Sequence, residues 1–151
     1  MHITESTTRS SARELFGEPI HVYSRAQAIE DGVLVDVTAI SRQAGICWPV
    51  AITSAAWEDC CAWTDTDDAR KGGIWQDCAG RTWDVAWLAS LAIRRGLRQG
   101  HDPRVAPICF QLYRVPRQGR GTKPRPVTLK LVAGPGDDGR PVVTIMQTNE
   151  D

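Results

Sequence analysis

The chain predicts an α+β fold: a small antiparallel sheet of three to four strands, packed against a buried tryptophan-rich helix and flanking helices. Three observations lead there. Val105 to Tyr113, Val127 to Val132 and Val142 to Met146 read as strands of a C-terminal meander joined by two hairpin loops. Trp83 to about Arg98 reads as the strongest helix, because Trp83, Val85, Trp87, Leu88, Leu91, Ala92 and Ile93 cover nearly its whole circumference, the pattern of a helix in the middle of a domain. The remaining helices are short and carry start signals of their own.

In chain order, Met1 to Arg13 is a polar lead rich in Ser and Thr, and residues 14–151 form one α+β domain. Ser24 followed by Gln27 makes a capping-box signature, and Gly32 supplies the stop for a helix over Arg25 to Asp31. The β-branched run Val33 to Val37 suits a strand, and Thr38 is placed to cap a short helix ending at Gly45. Trp48 to Ile52 is extended, since Pro49 disfavours helix at the residue before it, and Thr53 caps a helix to about Trp63. On that helix Ala56, Trp57, Cys60 and Cys61 share one face. Asp65, Asp67 and Asp68 with Lys71-Gly72-Gly73 predict an acidic, mobile connection, Asp77 to Arg81 a turn, and Thr82 the cap of the long helix.

Composition narrows the function classes. The 151 residues suffice for one sizeable core, and 42% hydrophobic with 24% charged residues is ordinary for a globular chain. Eighteen basic residues balance eighteen acidic ones, which argues against a protein coated generally in nucleic acid or lying on an anionic membrane while leaving room for local patches. No run is apolar enough to span a bilayer, and the start lacks the apolar stretch of a secretory signal, so the expected location is the cytoplasm, with no membrane partner. Five cysteines without a C-x-x-C pair fit reduced, mostly buried thiols.

Catalytic and metal signatures are weak. Gly134 to Gly139 spells G-x-G-x-x-G, but Arg140-Pro141 opens a strand where a dinucleotide site needs a helix, so these glycines are turn residues; Asp137 and Asp138 beside them read as solvated. His2, His21 and His101 have no zinc-ligand spacing, and no G-x-S-x-G elbow is present; no metal, cofactor or catalytic residue is assigned. Asp84, on the apolar stripe with Leu88, Leu91 and Arg95, is the candidate general acid or base of a small enzyme. Its first-turn position gives it an alternative role with the helix dipole.

The binding candidates are stronger. The first hairpin loop carries Arg114, Arg117, Arg120, Lys123 and Arg125 with no acid among them, a composition suited to phosphate or carboxylate contacts. Of six tryptophans, Trp75, between Gly73 and Asp77, is the one expected to be exposed and able to anchor a partner or stack on a base. A solvated hairpin that only keeps a sheet edge soluble is the competing reading.

Several stretches, Glu14 to Gly17, Tyr23 to Val37, Trp83 to Val85, Leu112 to Arg117, Gly134 to Asp137 and Thr144 to Gln147, resemble a domain family of unknown function found in small proteins of bacterial plasmids and other mobile elements. The chain departs from that pattern at Cys78, where an acidic residue is expected, and in a longer connection over Arg98 to Pro107. The resemblance implies a setting, an accessory protein acting by stoichiometric binding, for instance an inhibitor of a host defence complex of the anti-CRISPR or antirestriction type. The expected partner is a host protein or nucleoprotein complex. A nucleic-acid-binding accessory protein using the basic loop is the alternative, and an enzyme using Asp84 the second.

Overall fold

The computed structural model describes residues 23–151. The polar lead and Glu14 to Gly17 lie outside that range. Ten elements follow: α1 (Arg25–Glu30), β1 (Leu34–Asp36), α2 (Thr38–Gln43), β2 (Val50–Thr53), α3 (Ser54–Cys60), α4 (Asp65–Arg70), α5 (Cys78–Arg98), β3 (Ile108–Arg114), β4 (Arg125–Pro135) and β5 (Pro141–Gln147).

The fold is α+β, but the sheet is not the small antiparallel one predicted. It has five strands in the order β1-β2-β5-β4-β3, and β2 runs parallel to β5. The C-terminal meander is present as expected; β1 and β2 extend it. A parallel pairing requires a long crossover, here most of the chain, so no local pattern in the sequence marks it. Val50, Ala51 and Ile52 are each about 1% exposed, as befits a strand inserted beside the sheet centre.

Register explains the core. Val35, Ile52, Ile145, Leu131 and Ile108 form one row across all five strands. With Val143, Leu129, Phe110 and Leu112 this face meets Val85 and Ala89 of α5, Ala56 and Cys60 of α3, and Cys61 just after it.

The long helix occupies the expected stretch with a different buried face. Val85, Ala86, Ala89 and Ser90 point inward, whereas Trp83, Trp87 and Leu91 are 36%, 40% and 40% exposed. Small side chains let the helix lie close to the sheet, and at Gly96 a Cβ would come within 2.8 Å of Ile108 Cδ1. Bulky indoles cannot fit that gap, and among the described residues no second layer covers their side of α5. The expectation of a fully buried tryptophan-rich helix is therefore corrected.

Start signals are mixed in outcome. Ser24 and Thr53 accept from Gln27 N and Ala56 N as predicted, and Gly32, at φ 77°, ends α1. Helix α3 stops at Cys60, short of Trp63. Helix α2 is preceded by Val37 without a side-chain cap, and the Thr38 hydroxyl instead meets Asp36 and the Val50 backbone. Asp77, not Thr82, caps α5: its carboxylate accepts from Gly80 N at 2.5 Å, while Thr82 sits inside the helix and donates to Cys78 O. The acidic connection is helix α4, closed by a capping box between Thr64 and Asp67. Asp137 is not merely solvated, because its carboxylate accepts from Arg25 N and Ala26 N and so caps α1 from the β4–β5 turn.

Candidate functional site

The basic loop between β3 and β4 is fastened from beneath. Arg114, at the end of β3, donates Nε and Nη2 to the two oxygens of Asp59 at 3.0 and 3.2 Å, a bidentate pairing across to α3. Arg117 donates Nε to Asp67 at 2.9 Å and Nη1 to Glu58 at 2.5 Å. Arg70 donates to Arg117 O, and the buried Lys71 ammonium donates to Gln118 O and Gly121 O. These contacts replace loop hydration with cations and carboxylates of α3 and α4, and they hold the tip in one place.

Of the five loop cations named from sequence, two are thus turned inward. Arg120, Lys123 and Arg125 remain exposed, and none has an ion pair among the described residues. They border a shallow depression with Pro116, Gln118, Gly121 and Thr122.

Trp75 is 91% exposed and has φ 61°, left-handed backbone that a bulky residue adopts at a cost of roughly 1 kcal/mol or more. Its segment is tied to the loop at both ends. Lys71 holds Gln118 and Gly121, and Gln76 accepts from Arg81, whose Nη1 also donates to Val115 O. Trp75 thus projects from a segment whose two flanks, Lys71 and Gln76–Arg81, are both bound to the loop that carries the free cations.

Sequence reasoning missed an exposed ridge on α5. Trp83 and Trp87 stack with ring centroids 6.0 Å apart and planes 12° from parallel, one helical turn apart, and Leu91 continues the line. The contact Arg81 to Val115 sets the start of α5 at the loop end of β3, and the contact Gly96 to Ile108 sets its end at the start of that strand. The ridge consequently runs along α5 from the end nearer Val115 towards Arg95 and Arg98, beside the edge strand β3. The signal available in the sequence was the opposite stripe, Val85, Ala86, Ala89 and Ser90, whose small side chains mark the face that packs closely.

Among the described residues, the side chains weighed for chemistry lack the partners it would need. Asp84 is exposed in the second turn of α5 rather than its first; partial burial raises its pKa, Arg81 lowers it, and its carboxylate has no hydrogen bond among the described residues. The Cys60 and Cys61 thiols are pushed up to about 12 by burial, the opposite of what a nucleophile needs. Cys47 and Cys109 are exposed, contrary to the expectation of mostly buried thiols. Arg81 is buried over the Trp63 ring at 4.8 Å and binds backbone carbonyls, a structural use of the cation. Among the described residues no three His, Cys, Asp or Glu side chains gather to hold a metal ion, and no helix is long and apolar enough to cross a membrane.

The fold and its surface thus define an α+β protein whose distinctive features are exposed aromatic and cationic side chains. The chain belongs to the family of unknown function DUF6573, which matches residues 16–151. No curated protein and no solved structure matches it.

Proposed function

We propose that the chain is a non-enzymatic binding protein that docks a protein partner with an acidic rim. The carrying observation is the solvent-facing Trp83–Trp87 stack with Leu91, followed on the same helix by Arg95 and Arg98, in a molecule whose basic loop leaves Arg120, Lys123 and Arg125 exposed. Exposed tryptophans beside arginines are the composition of interface hot spots, where an aromatic anchor is desolvated and the surrounding charges select the partner. The setting is the one implied by the resemblance: an accessory protein of a mobile element in a bacterial cell, acting as a stoichiometric inhibitor of a host defence complex of the anti-CRISPR or antirestriction type.

The test is protection of an incoming plasmid in a host that carries one defined restriction or CRISPR system, with wild type compared against Trp83→Ala/Trp87→Ala. The proposal expects higher transformation with wild type, loss of that gain in the double variant, and a purified complex with the defence protein that survives nuclease treatment. No gain with any system tested removes the inhibitor reading. A complex that disappears with nuclease favours the alternative, in which Trp75 and the free loop cations hold single-stranded nucleic acid by stacking and charge.

A further inference from the structure

At the opposite end of α5 a cavity of about 250 Å³ opens between the helix, the Gly45 to Trp48 segment and the turn at Pro103. Its walls are apolar: Ile46, Trp48, Ile93, Leu97, Pro103 and Val143. Two polar groups converge within it. Ser90 is 2% exposed, and its hydroxyl has no hydrogen-bond partner among the described residues. Arg94, one turn further along, carries a guanidinium with no carboxylate partner among the described residues.

Gly45 lets the Arg94 guanidinium lie against the backbone on the Ser90 side of the cavity. At φ 104° it has a backbone that favours glycine, and a Cβ there would overlap Arg94 Nη2 and sit 3.3 Å from Ser90 Oγ. The other cation at the rim is already neutralised. Arg104 donates to both oxygens of Asp102, at 2.8 to 3.2 Å, and lies 6.0 Å over the Trp48 ring. The mouth therefore presents one unneutralised guanidinium and one buried hydroxyl donor above an apolar chamber.

We propose that this cavity is a binding site for a small amphipathic carboxylate, with its hydrocarbon part against Ile46, Ile93 and Leu97 and its carboxylate accepting from Arg94 and Ser90. An unsatisfied buried hydroxyl is costly when empty-handed and becomes a net gain once an acceptor arrives. The apolar volume suits a short chain or a single ring, and the charge selects the anion over the matching alcohol. This site is separate from the docking ridge and does not depend on it.

The experiment titrates octanoate, with octanol as the neutral control, and follows Trp fluorescence, melting temperature and alkylation of the rim thiol Cys47. Wild type should bind octanoate saturably, and binding should protect Cys47 but not Cys109. Arg94→Gln should weaken octanoate by roughly tenfold and leave octanol unchanged, the effect expected for losing one charge-assisted contact. Ser90→Ala should weaken octanoate while leaving the free protein at least as heat-resistant, because it removes an orphaned hydroxyl. If Ser90→Ala does not fold, the exposed Arg94 carries the test alone. Absence of saturable binding, equal affinity of Arg94→Gln for octanoate, or equal protection of Cys109 overturns the proposal.

Discussion

Arg117 Nε lies 2.9 Å from Asp67 Oδ2, and this pair fastens the basic loop to the first turn of α4. Burial works against the Asp67 charge, but hydrogen bonds from Thr64 and then Arg117 outweigh it and hold the carboxyl below the ordinary 3.8. Its contribution to stability is therefore complete above that value and fades as pH falls through the lower folded value.

Asp67→Asn should cost about 2 to 3 kcal/mol, less than for a fully buried pair because Arg117 is 22% exposed. The acid limb of the stability curve should flatten in this variant, and amide exchange should accelerate over residues 115 to 124. Unchanged exchange there would mean that the other tethers, Lys71 above all, suffice to hold the loop.

Charge reversal separates the two kinds of loop cation. Arg120→Glu/Lys123→Glu/Arg125→Glu should shift stability by no more than about 0.5 kcal/mol, since these side chains touch nothing structural. Arg117→Glu should be clearly destabilising, because it sets a third carboxylate beside Asp67 and Glu58. Chemical denaturation of the two variants decides between this division of labour and a uniformly solvated hairpin.

Trp87→Ala should cost about 1 to 2.5 kcal/mol, from the stacked pair and the partly buried indole. A truly buried indole would cost roughly 3 to 5 kcal/mol. Calorimetry of the variant distinguishes them, and a large loss would show that the ridge is covered in solution.

Cys47 and Cys109 should react quickly with a thiol reagent in the native protein, and Cys60 and Cys61 only on unfolding. Burial raises both inner thiols from 9.0 to about 12, so the folded state retains protons that the unfolded chain has released. The stability they contribute is whole below about pH 9 and is lost as pH climbs toward 12. Cys60→Ala should accordingly show a shallower alkaline decline, measured by urea unfolding across that range.

Local signals were legible wherever a few neighbouring residues decide the outcome. Ser24 and Thr53 as caps, Gly32 as a stop, the three meander strands, the exposure of Trp75 and the inward face of Cys60 and Cys61 all follow from spacing and side-chain chemistry. The start of the long helix was misplaced: the stretch Asp77 to Arg81 reads as a turn and Thr82 as the cap, whereas Asp77 caps a helix that begins at Cys78 and takes in that whole stretch.

The sequence by itself determined the α+β character, the meander and the cationic composition of one hairpin, since each depends on short-range periodicity or residue type. Tertiary structure alone decided that β2 lies parallel to β5, that Arg114 and Arg117 turn inward to acids some 50 residues away in the chain, and that Trp83 and Trp87 face solvent. An all-round apolar helix has several faces that could be buried. Only the sheet it meets, with room for Ala89 and Gly96 but not for an indole, selects one.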